Sequence, residues 1–104
     1  KNLFIRLKPC HHDNMIRKHC FFSGKVQGVF FRANTKEQAK KRGVNGWVMN
    51  LRDGRVEAVF EGPEDKVMNL IEWCKNEQPH AKVDGVEVQD EKPTGEFDSF
   101  FVKR

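Results

Sequence analysis

No run of apolar residues in this chain approaches the roughly 20 needed to span a bilayer. Near its start, Leu3, Phe4, Ile5 and Leu7 are interrupted by Arg6 and Lys8, a segment too short and too charged for the core of a secretory leader. Cysteine is scarce: Cys10, Cys20 and Cys74 are odd in number and share no repeated spacing. That argues against a secreted disulfide framework, and a reducing cytoplasm is expected. Neither sign of charge dominates. With 19 Lys and Arg against 15 Asp and Glu the net charge is +4, a mild excess that suits an anion without choosing between a phosphate and an RNA. Internal repeats and low-complexity linkers are missing. So is the G-x-x-x-x-G-K-[ST] loop, and no adjacent carboxylate pattern offers to hold magnesium, which speaks against nucleotide hydrolysis.

What remains is a chain of 104 residues, 38% hydrophobic, with nine phenylalanines and 33% charged residues. The length fits one domain, and the apolar content suffices for a two-layer core that folds without staples. Residues 1–14, punctuated by Pro9 and Asp13-Asn14 and lacking any clean period, read as a tail outside the domain. The domain is expected over residues 15–104, and Met15 reads as a natural start because the ordered pattern begins just after it.

Ile16, Cys20 and Phe22 fall on one parity, interrupted by Lys18, and predict a first strand over Ile16 to Ser23. "ANTKEQAKKRG" follows a glycine-bearing loop and predicts a helix with a basic last turn, stopped by Gly43. "VNGWVMN" and "VEAVFEG" predict strands joined by a tight turn at Asp53-Gly54. In the second of these, Val56, Ala58 and Phe60 share one face and Glu57 and Glu61 the other, so a half-buried strand is expected. Val67, Leu70, Ile71 and Cys74 recur at helical spacing and place a second helix over Glu64 to Asn76, with Pro63 at its entry. "KVDGVEVQ" predicts a fourth strand with a bulge at Asp84-Gly85, and "FDSFFVKR" a fifth. The order βαββαβ, closed by that fifth strand, predicts an α+β fold. Its architecture is ferredoxin-like, two helices packed on one face of a five-stranded, mainly antiparallel sheet.

A fold of that kind hosts many activities, so function has to come from a site. The loop "GKVQGVFFR", Gly24 to Arg32, joins a strand to a helix, where backbone N–H groups can turn inward beside the unpaired donors of the helix terminus and enclose an anion. Gly24 and Gly28 let the chain turn that tightly, and Arg32 stands where its planar fork would meet two oxygens of the same anion. Taken singly, the spacing equally fits a plain turn with a solvated arginine. Asn50, at the end of a strand before the hairpin, likewise has an ordinary backbone role open to it.

Taken together, the two segments resemble the acylphosphatase family. The pattern G-x-V-Q-G-V-x-F-R is matched by Gly24, Val26, Gln27, Gly28, Val29, Phe31 and Arg32. The pattern G-W-V-x-N…D-G-x-V-E is matched by Gly46, Trp47, Val48, Asn50, Asp53, Gly54, Val56 and Glu57. The likeness covers residues 16 to 104, in the order and spacing of a free-standing member. It implies a five-stranded α/β sandwich that hydrolyses the carboxyl-phosphate bond of small acyl phosphates, releasing inorganic phosphate, with no cofactor and no metal. By the same resemblance Arg32 binds the phosphoryl group, Asn50 orients the attacking water, and the loop around Val26, Gln27, Gly28 and Val29 supplies amides. Leu51 stands where some members carry a hydroxyl. A cytoplasmic monomer that engages neither nucleic acid nor membrane is expected.

An alternative is an RNA-binding split-βαβ module, with Phe21, Phe100 and Phe101 as stacking platforms. Against it, "RVEAVFEG" carries Glu57 and Glu61 where an RNA-binding strand would be basic and aromatic. Cys10, His11, His12, His19 and Cys20 have the chemistry of zinc ligands, but their spacing fits no standard finger, and His19 and Cys20 should point to opposite faces of a strand. Cys74 reads as a small buried hydrophobe. Trp73 and Met68 are expected to extend the core, "TKEQAKKR" to be a solvated helix face, and His80 to sit in a surface loop.

Overall fold

Seven elements alternate in the order read from the sequence: β1 (Met15–Lys25), α1 (Phe31–Arg42), β2 (Asn45–Asn50), β3 (Val56–Pro63), α2 (Glu64–Asn76), β4 (Lys82–Glu91) and β5 (Phe100–Val102). They come from a computed structural model whose described residues are 15–104; the expected tail, with Cys10, His11 and His12, lies outside them. The sheet runs β4-β1-β3-β2-β5. All neighbours are antiparallel except β2 and β5. Each helix is a crossover that skips one strand, β3 lying between β1 and β2, and β1 between β3 and β4. This is the split βαβ arrangement of ferredoxin-like folds.

The core lies between the helices and one face of the sheet. Phe22, Phe31, Phe60 and Phe100 are fully buried there, each contributing about 1.5–3 kcal/mol by leaving water. Phe60 stacks on Phe100 at 5.7 Å between centroids, and Phe22 tilts against Phe31 at 5.2 Å. Helix α2 buries Val67, Leu70, Ile71 and Cys74, as its period requires. Trp73 packs on the edge of that cluster. Met68, expected there too, is 42% exposed, because one step past Val67 turns a side chain about 100° off the stripe.

Helix α1 is almost wholly polar and buries only Phe31, Thr35 and Ala39. "TKEQAKKR" is thus not a solvated face throughout: Thr35 and Ala39 are closed off by the second helix. Gln78, just beyond α2, donates from Nε2 to Thr35 Oγ1 at 2.8 Å and to the Phe31 carbonyl at 3.3 Å. So narrow an apolar stripe gives limited hydrophobic adhesion, and this buried tie fixes the start of α1 instead.

Strand β3 departs from the half-buried expectation. It is central, flanked by β1 and β2, and Val59 and Glu61 on its second face are buried, Glu61 to 4% exposure. The Glu61 carboxylate accepts the amides of Gly95 at 2.7 Å and Thr94 at 3.3 Å, and pairs with Arg17 of β1. The segment between β4 and β5 therefore folds back over that end of the sheet, with Phe97 beneath the Arg17 guanidinium. Consequently β5 is shorter than "FDSFFVKR" suggested: Ser99 and Phe97 supply carbonyls to Gly46 and Asn45 before the strand proper begins.

Candidate active site

The register of β1 against β4 passes from Ser23↔Gly85 to Gly24↔Val83, leaving Asp84 as the extra residue of the expected bulge. The bulge presses β4 onto Gly24, where a Cβ would lie 2.3 Å from the Lys82 carbonyl; no other residue fits at its φ of +113°. From there the chain turns, with Val26 N donating to Gly24 O at 3.1 Å and Gly28 at φ +76°. Val26, Val29 and Phe31 drive their side chains into the core. Three apolar anchors thus hold the loop's backbone outward. Among the described residues, no amide of Gln27, Gly28, Val29 or Phe30 donates to another backbone group, and the first helical bond is Asn34 N to Phe30 O at 2.9 Å. The result is a run of free donors at the N-terminus of a helix, where the dipole favours negative charge.

Helix α1 begins at Phe31, two residues earlier than predicted, so Arg32 lies within its first turn. The sequence disguised this start because the apolar "VFF" looks like more strand. Arg32 makes no side-chain hydrogen bond or ion pair among the described residues and lines a cavity of about 630 Å3 together with Val26, Gly28 and Asn50. The two key side chains of the sequence reading therefore share one space. Lys36, one turn further along α1, lines it as well and adds a second cation on the same helical face.

Asn50 closes β2 opposite Val56 of β3. Its Oδ1 is buried and has no hydrogen-bond partner among the described residues. Such an orphan costs about 1–3 kcal/mol and calls for an explanation at this place. The hairpin behind it is rigid. Leu51 N bonds to Arg55 O at 2.8 Å, and Asp53 accepts both the amide and Nε of Arg55, bonds that hold its carboxyl below the usual range.

Gln27 was expected only to contribute an amide. Its side chain instead crosses from the loop to the hairpin, Nε2 donating to Leu51 O at 2.7 Å and Arg55 O at 3.0 Å. Phe30, Phe101, Val102 and Arg104 on the cavity wall were also not foreseen. Those on β5 reach the site through a parallel pairing with β2 that no local pattern announces.

The other candidates sort away from the cavity. Cys20 and Cys74 are free and buried, and burial pushes their thiols up to about 12 and about 11, which keeps them unreactive. His19 lies on the opposite sheet face from Cys20, bonded to Glu57 and Glu91. Of the proposed RNA platforms, Phe100 is in the core, and Phe21 is taken up by His19, stacked at 5.0 Å, and by the Arg55 guanidinium.

A ferredoxin-like sandwich with a cavity lined by Arg32 and Lys36 at its β1–α1 junction defines a small α+β protein. The acylphosphatase family model matches residues 18–102. An acylphosphatase of Haloquadratum walsbyi is 57% identical over 92 residues, 88% of this chain and 98% of its own. The solved acylphosphatase of Coxiella burnetii superposes with a TM-score of 0.84 at 35% identity, over 92% of this chain and all of its own. That of Bacillus subtilis gives 0.81 at 35%, over 86% and 99%. The chain belongs to the acylphosphatase family.

Proposed function

We propose that this protein hydrolyses the carboxyl-phosphate bond of small acyl phosphates, giving a carboxylate and inorganic phosphate, and that Arg32 and Asn50 carry the reaction. The observation that carries it is the pair's common cavity, which Gly28 and Phe30 of the loop also line. The amides and the Arg32 fork hold the phosphoryl oxygens and meet the charge that spreads over them in the transition state. Asn50 offers its orphaned Oδ1 to a proton of the attacking water, holding that oxygen in line with phosphorus. The P–O bond to the acyl group breaks as the new P–O bond forms, the carboxylate leaves with the electron pair, and the water's proton passes to a phosphoryl oxygen. A carboxylate's conjugate acid has a pKa of about 4, so its departure needs no general acid. In keeping with that chemistry, the side chains lining the cavity are basic, amide or apolar, and none is a carboxylate.

We further propose a metal-independent cytoplasmic monomer. In support, Cys20 and Cys74 are free thiols, and Asp84, Glu87 and Asp90 on the edge strand β4 discourage pairing with a second sheet. The test is benzoyl phosphate hydrolysis by the purified protein in excess chelator. Turnover unaffected by the chelator is expected. No turnover, with a salt-sensitive RNA shift in its place, would install the binding-module alternative.

A further inference from the structure

Phe30 joins the loop to α1 at φ +61° and ψ 23°, and its side chain is 77% exposed. A left-handed backbone costs a bulky L residue roughly 1–2 kcal/mol, and an exposed ring forgoes the roughly 1.5–3 kcal/mol that burial returns. Glycine would relieve the first cost and a polar side chain the second. Among the described residues, the adjoining Val29 and Phe31 fill the core and Phe30 does not. Strain of this kind at a site points to a ligand. The left-handed turn carries the ring onto the cavity wall, where Phe101 of β5, 41% exposed, also lies.

The cavity of about 630 Å3 is larger than a phosphoryl group requires. At about 30 Å3 per water-sized atom, four or five heavy atoms fill roughly 120–150 Å3. With phosphate at Arg32 and the loop amides, the remaining wall includes the two exposed rings beside Val102, Lys36 and Arg104. We propose that Phe30 and Phe101 form the acyl subsite and select substrates whose acyl group is flat and apolar, an aromatic acyl phosphate in preference to a small aliphatic one. This rests on the phosphate position argued above. Stacked or edge-on ring pairs add about 0.5–1.5 kcal/mol to the area they bury, enough to discriminate between acyl groups while phosphate binding is left to Arg32.

The test compares kcat/KM for benzoyl, acetyl and succinyl phosphate in the wild type, Phe30→Gly and Phe101→Ala. Phe30→Gly suits the backbone and should fold at least as stably. In both variants the benzoyl-to-acetyl ratio should fall about tenfold, while in Phe101→Ala the inhibition constant for inorganic phosphate stays within about twofold. An unchanged ratio in the two variants, or a wild-type preference for acetyl over benzoyl phosphate, overturns the subsite alone. Failure of the wild type to hydrolyse any of the three overturns the phosphate position, and the subsite with it.

Discussion

Gln27 bridges the two halves of the site: its Nε2 donates to the Leu51 carbonyl at 2.7 Å and to the Arg55 carbonyl at 3.0 Å, tying the loop that precedes Arg32 to the hairpin that follows Asn50. Neither carbonyl depends on it wholly, because Leu51 O also accepts Gly54 N and Arg55 O also accepts Leu51 N. Gln27→Ala should therefore cost only about 1–2 kcal/mol in urea denaturation. Its kinetic effect should be larger, since a small misplacement between reacting groups costs up to about a hundredfold. We expect kcat to fall by roughly ten- to a hundredfold. Gln27→Glu, which sets a carboxylate against two carbonyls, should be worse in both measurements. Unchanged kcat in either variant would reduce the bridge to a structural contact.

Asn50→Ala separates water orientation from phosphate binding. The loop and Arg32 are untouched, so the inhibition constant for inorganic phosphate should be unchanged while turnover drops by about a hundredfold. Removing an unpartnered buried oxygen should also leave the fold as stable or raise its stability by up to about 1 kcal/mol. Equal losses of phosphate affinity and turnover would assign Asn50 to binding instead.

Arg32→Lys keeps the charge and discards the planar fork. If the guanidinium pairs with two phosphoryl oxygens, the lysine variant should lose about a hundredfold in kcat/KM and weaken inorganic phosphate inhibition. Arg32 has no structural ion pair among the described residues, so thermal stability should not change. Near-normal kinetics in the folded variant would remove Arg32 from the site.

These experiments probe what the sequence exposed unevenly. Helix α2 was legible because Val67, Leu70, Ile71 and Cys74 state its period outright, and the bulge at Asp84 was legible because glycine interrupts a strand there. The loop and Asn50 were legible as motifs. Helix α1 was clear in its C-terminal half but not at its start, because Phe30 and Phe31 have opposite fates, one on the rim and one in the core, and nothing local distinguishes them. Glu61 reads as part of the polar face of its strand and nothing local marks Gln78; both are buried by tertiary hydrogen bonds to distant segments. The β5 wall of the cavity depends on a parallel pairing more than fifty residues distant in sequence, beyond the reach of any periodic pattern.

The sheet face away from the helices should make stability depend on pH through His19. Nδ1 lies 2.7 Å from Glu91 and Nε2 2.6 Å from Glu57, so both ring nitrogens donate only when the imidazole is charged. Partial burial opposes that charge, but the bonds to Glu91 and Glu57 outweigh it and hold the His19 pKa above its ordinary 6.5. A group raised on folding stabilises below its unfolded value and loses that contribution as pH climbs through the folded one. Glu91 behaves oppositely: bonded to His19 and Arg17, it is held below its ordinary 4.5, and its contribution vanishes as pH falls through the lowered value. The urea midpoint should therefore be highest between about 4.5 and 6.5, the ordinary carboxylate and imidazole values, and decline on the alkaline side. The decline should be on the order of 1 kcal/mol or less, because the cluster is partly open to solvent and screened by salt. In His19→Gln the alkaline limb should flatten while the acid limb persists through Arg17 and Glu91. An alkaline limb of equal slope in that variant would assign the dependence to another group.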